Sequence, residues 1–275
     1  MNNVGLAFYI LSLCFYFSAA VIFLIDLTAS EKQLLPIARI LLIIGFITLT
    51  LLMIGRSVVY RYIPLYTFHE TLLFFAWVAT IVLLVLERAY HFRAIYYFAT
   101  PLLFGFLFFA FFFTPASVDL WPELRSIWLF AHILTVIVAY GTFAVAFVVS
   151  GMYLLVDNHL KKKNFSSLIS KLPSLDILDY YNYKLVSVGF FLLTISIFLG
   201  AMWAQHVWGA LWRWEHKEIW SGITWIIYAA YLHTRLMSGW QGRKVAMLNT
   251  LGFATVLFNY VIVRFFLTGG LHQFY

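Results

Sequence analysis

Charge is what this sequence has least of. Asp, Glu, Lys and Arg together make up 11% of 275 residues, while 64% are hydrophobic and the mean hydropathy is +0.91. A soluble domain of this size cannot hide that much apolar surface, since roughly half apolar is ordinary. A lipid bilayer can, and a helix needs about 20 apolar residues to cross one. Cysteine is nearly absent too. The single Cys14 excludes an intrachain disulfide and a cysteine-based metal cluster. Inside an apolar run, it is expected to be a small buried hydrophobe. The first residues, "MNNVGLAFYILSLC", lack a basic n-region and a small-residue cleavage site, so the run reads as a retained span. Internal repeats, low-complexity tracts and a soluble domain are also missing. The net charge of +7 reports membrane topology here, not nucleic-acid binding.

What is present divides into eight apolar runs, near 4–26, 37–55, 69–87, 93–113, 127–155, 184–204, 221–237 and 245–268. The fold class is therefore all-α: a polytopic membrane protein, with residues 1–275 forming one membrane domain. The fifth run is long enough to project from the membrane. Lys and Arg concentrate on the cytoplasmic side of membrane proteins. With the N-terminus outside, the inner segments carry Lys32, Arg39, Arg88, Arg93, Lys161, Lys162, Lys163, Lys171, Lys184, Arg235, Arg243 and Lys244. The outer segments carry only Arg56, Arg61, Arg125, Arg213, Lys217 and Arg264. Both termini are thus expected outside. "NHLKKKNFSSLISKLPSLDILDYYNYK" is the main cytoplasmic loop, with apolar positions that suit an interfacial amphipathic segment.

This orientation puts one unusual stretch, "QHVWGALWRWEHKEIWSG" (205–222), outside, between the sixth and seventh spans. Tryptophan belts are ordinary at membrane interfaces, but a belt does not need Glu215 and Glu218. Of the eight histidines, His91 and His159 fall in inner loops as solvated residues. His69 stands at the outer start of the third span as a rim residue bonded to Glu70. His206 and His216 flank the tryptophan-rich stretch as solvated loop residues. His132, in "IWLFAHILTVIVAYGTF", enters the fifth span from outside, and His272 closes the chain outside. His233, in "WIIYAAYLHTRL", lies deeper, toward the cytoplasm, with Arg235 snorkelling inward. Ionisable groups at membrane depth are costly and mark function by default. Two outer imidazoles beside flat aromatic rings suit a haem iron. Tryptophans supply apolar planes with an N–H handle, and Arg213 and Lys217 could answer haem propionates.

"WGALWRWEHKEIW", running into "SGITWIIYAAYLHTRL", resembles the tryptophan-rich WWD signature of the haem-handling superfamily that includes CcsA (ResC), CcmC and CcmF. Trp208, Gly209, Trp212, Trp214, Lys217, Glu218, Trp220, Leu232, His233 and Arg235 fit it. Glu215 and His216 depart from it, standing where Asp and Pro are usual. "YIPLYTFHETLLFFAW", "AHILTVIVAYGTFAVAFVVSGMYLL" and "GGLHQFY" are similar to CcsA in particular, and the likeness runs from about residue 60 to 275.

The resemblance implies haem b as the bound group. His132 and His272 match two outer ligands of the iron, and His233 matches an inner one. Trp208, Gly209, Trp212, Trp214, Glu215, Glu218 and Trp220 form the platform within 205–222, with Glu70 and Arg213 as lesser contributors. Its implied partners are a CcsB (ResB-like) membrane subunit, an apocytochrome c bearing Cys-x-x-Cys-His, thiol-reducing thioredoxin-like proteins and membrane lipid. The implied membrane is the bacterial cytoplasmic membrane, or the thylakoid membrane in a plastid, with the platform on the periplasmic or lumenal face. The implied activity is that of a System II cytochrome c synthase, a haem-lyase complex in which this chain moves haem outward and holds it for thioether formation. No Ser/His/Asp or Cys/His nucleophile pair is found, and none is needed, since the thiols come from the substrate. Alternatives are a CcmC-like donor of haem to a chaperone, a HemX-like regulator of haem biosynthesis, and a transporter of another substrate. The length and terminal histidine segment, the intact signature and the missing repeats argue against these in turn.

Overall fold

The computed structural model of the chain describes residues 3–28, 34–113, 126–163, 169 and 171–263. Among these it is all-helical: α1 (Asn3–Thr28), α2 (Leu35–Tyr60), α3 (Phe68–Tyr90), α4 (Tyr96–Ala110, after a short 3-10 turn), α5 (Ile127–Lys161), α6 (Leu175–Trp208), α7 (His216–Met237) and α8 (Arg243–Leu257). A π-helical turn, Phe258–Val263, continues α8. The expected eight-helix polytopic membrane fold is what the chain adopts. Seven helices are long and apolar enough to cross a bilayer, and α7 is the exception. It carries His216, Lys217, Glu218, His233 and Arg235 within 22 residues.

The helices gather into two compact units, α1–α4 with the segment after α5, and α5–α8. In the first, α1 packs on α2 and α4, and α3 packs on α4 and α2. Their apolar faces are crossed by a few hydroxyl bonds. Tyr9 donates to the Leu107 carbonyl at 2.6 Å, the Tyr16 and Thr80 hydroxyls meet at 2.7 Å, and the Trp77 indole donates to Thr50 at 2.8 Å. Ion pairs tie α2 to α3 at both ends: Arg56 to Glu70 at 2.5 Å, and Arg39 to Glu87 at 2.8 Å. Tyr96 adds a bond to Glu87 at 2.9 Å, and Asp26 takes the Tyr97 hydroxyl at 2.8 Å.

In the second unit the polar groups run through the core. α7 buries Thr224, Tyr228 and Tyr231, a hydroxyl stripe at helical spacing. Tyr228 stacks on Phe143 with ring centroids 3.7 Å apart. The Asn249 amide joins three helices, donating to Ser150 at 2.8 Å and to Asn182 at 2.9 Å. Below that level, Asp179 takes both guanidinium arms of Arg235, at 2.9 and 2.6 Å, and the Gly242 amide at 2.8 Å.

Two expectations change here. Cys14 is exposed, not buried. The buried positions of α1 are 9, 12, 16, 19, 20, 23, 26 and 27, and residue 14 falls on the other face. α6 also starts nine residues earlier than the apolar run from 184, because "LDILDYYNY" is helical. Ser174 caps it in extended conformation, Leu178, Tyr181 and Leu185 are buried, and Asp179 is neutralised by Arg235. The last turns of the expected cytoplasmic loop are therefore helix.

Candidate functional site: the tryptophan loop and the His132 imidazole

α6 ends at Trp208 because Gly209 takes a left-handed conformation, φ 72°, with its N–H on the Gln205 carbonyl at 3.0 Å. That cap favours glycine. The loop then runs to Glu215, which caps α7. Glu215 and Glu218 form a capping box. Glu218 also accepts from the Arg213 amide at 2.7 Å and the Glu215 amide at 3.3 Å. The carboxylates that a simple aromatic belt does not need thus fold the loop and start the helix. Carboxylates at a helix N-terminus also meet the positive end of its dipole.

The rings are arranged around this turn. Trp203 and Trp208 meet edge-on with centroids 4.8 Å apart, and Arg213 lies over Trp208 at 5.7 Å. Trp212 and Trp214 are 6.0 Å apart, nearly perpendicular. Trp220 packs on Phe258 at 4.2 Å. Two features cost free energy. Trp214 has φ 61° and is 76% exposed. A non-glycine residue held there costs on the order of 1–3 kcal/mol, and such strain clusters at functional positions. The Trp212 indole N–H is buried with no hydrogen-bond partner among the described residues, an arrangement that native proteins usually avoid.

His132 is half-buried on α5 and reaches across to α6. Its Nδ1 lies 2.7 Å from the Ser196 carbonyl and 3.1 Å from the Ser196 hydroxyl. A carbonyl can only accept, so Nδ1 carries the proton and Nε2 the lone pair. Trp208 is eight residues beyond Gly200, about 12 Å further along α6. On the other side, Tyr140 is eight residues beyond His132, again about 12 Å along α5. There the Asn259 amide bonds Ser221 of α7 at 3.0 Å and reaches the Tyr140 hydroxyl at 3.5 Å. The loop joins the end of α6, about 12 Å beyond Gly200, to the start of α7.

The other expected site residues lie as follows. His233 is exposed on α7, on the face opposite Thr224, Tyr228 and Tyr231, in line with the exposed Ile219 and Ile226. Arg235 is paired with Asp179. His272 lies outside the described residues. His206 and His216 are exposed. Glu70 is fully buried in the first unit, where it pairs with Arg56 and accepts from the Tyr66 and Thr67 amides at 3.2 and 3.1 Å. His69 is no rim residue bonded to Glu70. It is 2% exposed, and its Nδ1 lies 2.9 Å from the Ala110 carbonyl of α4. Glu70 is already committed to its own helix cap and to Arg56, so the imidazole turns into the bundle. Sequence reasoning missed Ser196 and Gly200, which sit 64 and 68 residues from the imidazole that they touch.

Fold and site together define a polytopic helical membrane protein whose second unit carries a strained tryptophan loop and a tautomer-fixed histidine. The profile of the cytochrome c assembly protein family matches residues 65–272. Similar proteins are the cytochrome c biogenesis proteins CcsA of Synechococcus sp. (strain CC9902), 33% identical over 94% of each chain, and of Prochlorococcus marinus (strain MIT 9301), 34% identical over 86% of this chain and 84% of the relative. The chain belongs to the cytochrome c assembly family and is a CcsA-type cytochrome c biogenesis protein. Among solved structures, cytochrome c heme lyase CcmF shares the fold, with a TM-score of 0.68 at 16% identity. The match covers 94% of this chain and 46% of that one, so the chain spans a little under half its length.

Proposed function

We propose that this chain is the haem-handling subunit of a System II cytochrome c synthase, taking haem b as cargo and holding it for covalent attachment to an apocytochrome c. The observation that carries this reading is the His132 imidazole, with its proton on the Ser196 side and its lone pair on Nε2, in the same helical unit as the tryptophan loop. The buried Trp212 N–H, without a hydrogen-bond partner among the described residues, adds a donor for a carboxylate such as a haem propionate, and Trp214 is a broad ring held outward against a backbone cost. These residues fit a flat, carboxylate-bearing metal macrocycle.

In this reading His132 and His272 would hold the haem iron on the outer side. Trp208, Trp212, Trp214 and Trp220 exclude water and orient the ring. Arg213 balances propionate charge, and Glu215 and Glu218, with Gly209, hold the loop in shape. His233 is an inner ligand. It faces away from the buried side of its own helix, so its opposite ligand comes from elsewhere, and a ResB-like CcsB subunit is the proposed source. The haem supplies two vinyl groups, and each thiol of the apocytochrome's Cys-x-x-Cys-His adds across one of them, sulfur to one carbon and hydrogen to the other. Thioredoxin-like proteins keep those thiols reduced. Holding both reactants in register supplies much of the rate. The platform faces the periplasm of a bacterial cytoplasmic membrane or the lumen of a thylakoid, in contact with membrane lipid.

Co-expression of the chain, a ResB-like partner and a Cys-x-x-Cys-His apocytochrome tests this. Covalent haem on the apocytochrome, seen by peroxidase stain after denaturing electrophoresis, is expected. Haem bound to the chain without any covalent product would point to a donor that hands haem on.

A further inference from the structure

We propose that Ser196 and Gly200 on α6 are positioning residues for His132. The Ser196 carbonyl keeps the proton on Nδ1, which leaves Nε2 as the ligating nitrogen, and Gly200 provides the space in which the ring lies. This deepens the reading of His132 as a haem ligand and rests on it.

The geometry sets both roles. In a helix the Ser196 carbonyl faces the N–H of residue 200, and its second lone pair can take another donor. His132 Nδ1 is that donor, at 2.7 Å. The ring reaches the carbonyl over the backbone of Gly200. A Cβ there would stand 2.8 Å from Nδ1 and 2.9 Å from Cε1, closer than such atoms approach. A methyl group at 200 and the imidazole in its present place are therefore mutually exclusive. The Ser196 hydroxyl adds contacts of 3.1 Å to Nδ1 and 3.2 Å to the His132 carbonyl, which pin α5 to α6 at this level. A hydrogen bond behind a metal-ligating histidine fixes its tautomer and orientation, and its loss costs about 10–100-fold in affinity or activity.

Two readouts test this independently. In the haem-free full-length protein labelled with 15N-histidine, the His132 signal, identified by its absence in His132→Ala, is expected to report the Nδ1–H tautomer. Gly200→Ala is expected to convert it to a mixture. In the haem-loaded complex with a ResB-like partner, Gly200→Ala is expected to lower covalent attachment about tenfold, with partial recovery on adding imidazole. Ser196→Ala keeps the carbonyl and is expected to change attachment by less than about threefold, as for one weak hydrogen bond. If Gly200→Ala misfolds, the pair His132→Gly and His132→Gly/Gly200→Ala carries no ring to clash. Imidazole is then expected to rescue the double variant about tenfold less well, because the methyl fills the space vacated by the ring. Equal rescue, or an unchanged tautomer in Gly200→Ala, overturns the positioning proposal. Full attachment in His132→Ala overturns the ligand reading instead, while the haem-free tautomer signal still reports the Ser196 bond.

Discussion

His69 in the first helical unit and His132 in the second make the same hydrogen bond. Each places Nδ1 against a helix carbonyl, Ala110 at 2.9 Å and Ser196 at 2.7 Å. Each therefore carries the lone pair on Nε2. Their surroundings differ. His69 is sealed in a bundle, 2% exposed, edge-on to the Tyr9 ring at 5.3 Å. His132 is half-buried, and its ring lies against Gly200 of α6. The same contrast extends to the carboxylates. Glu70 is enclosed with Arg56, whereas Glu215 and Glu218 shape a loop whose neighbours are largely exposed. The first unit is built to hold itself together, and the second to present groups.

The sharpest way to break this contrast is to exchange the fates of the two imidazoles. His132→Ala is expected to abolish covalent haem attachment, with partial restoration by imidazole. His69→Ala is expected to retain attachment per folded molecule. Peroxidase staining normalised to protein checks both, and loss in His69→Ala at native stability would erase the distinction.

Next in size is the ion pair of the first unit. The side chains of Arg56 and Glu70 are 3% and 0% exposed. Arg56→Ala leaves a buried carboxylate uncompensated and is expected to cost about 3–5 kcal/mol. Thermal unfolding in detergent measures this, and a shift under 1 kcal/mol would mean that the pair is solvated. Haem bound by the fraction still folded is expected to keep its native spectrum.

Smaller effects are expected in the second unit. Gly209→Ala forces a Cβ into the left-handed region at φ 72°, costing about 1–2 kcal/mol. It is also expected to loosen the loop, read as faster proteolysis between 209 and 215. Asn249→Leu removes two buried bonds that join three helices, yet such bonds average only about 0.6 kcal/mol each within membranes. A loss of about 1 kcal/mol in unfolding free energy is expected, with haem attachment intact.

Much of the fold was legible in the sequence because long apolar runs have few alternatives to spanning helices. α6 began early because the rule that charge ends a span fails when the charge is paired, and Asp179 meets Arg235 from a different helix. Cys14 and His69 were misread for different reasons. In α1, Tyr9, Ser12, Tyr16 and Asp26 form the stripe that turns inward, and Cys14 lies off it. The partner of His69, the Ala110 carbonyl, sits 41 residues away on another helix. At the candidate site, the tryptophan-rich stretch was legible from composition at one place in the chain. The capping role of Glu215 and Glu218 was there to be read in their i, i+3 spacing, which is that of a capping box. Ser196 and Gly200 were not legible, because their importance comes from a contact between helices far apart in sequence.

The proposed role of the second unit is to hold haem through His132. The most direct measurement is the absorption spectrum of the purified protein, with and without a ResB-like partner, for the native chain and for His132→Ala. A Soret band in the native protein that shifts or weakens in His132→Ala is the expected result. A native preparation with no Soret band in either condition, or a spectrum unmoved by His132→Ala, would contradict it.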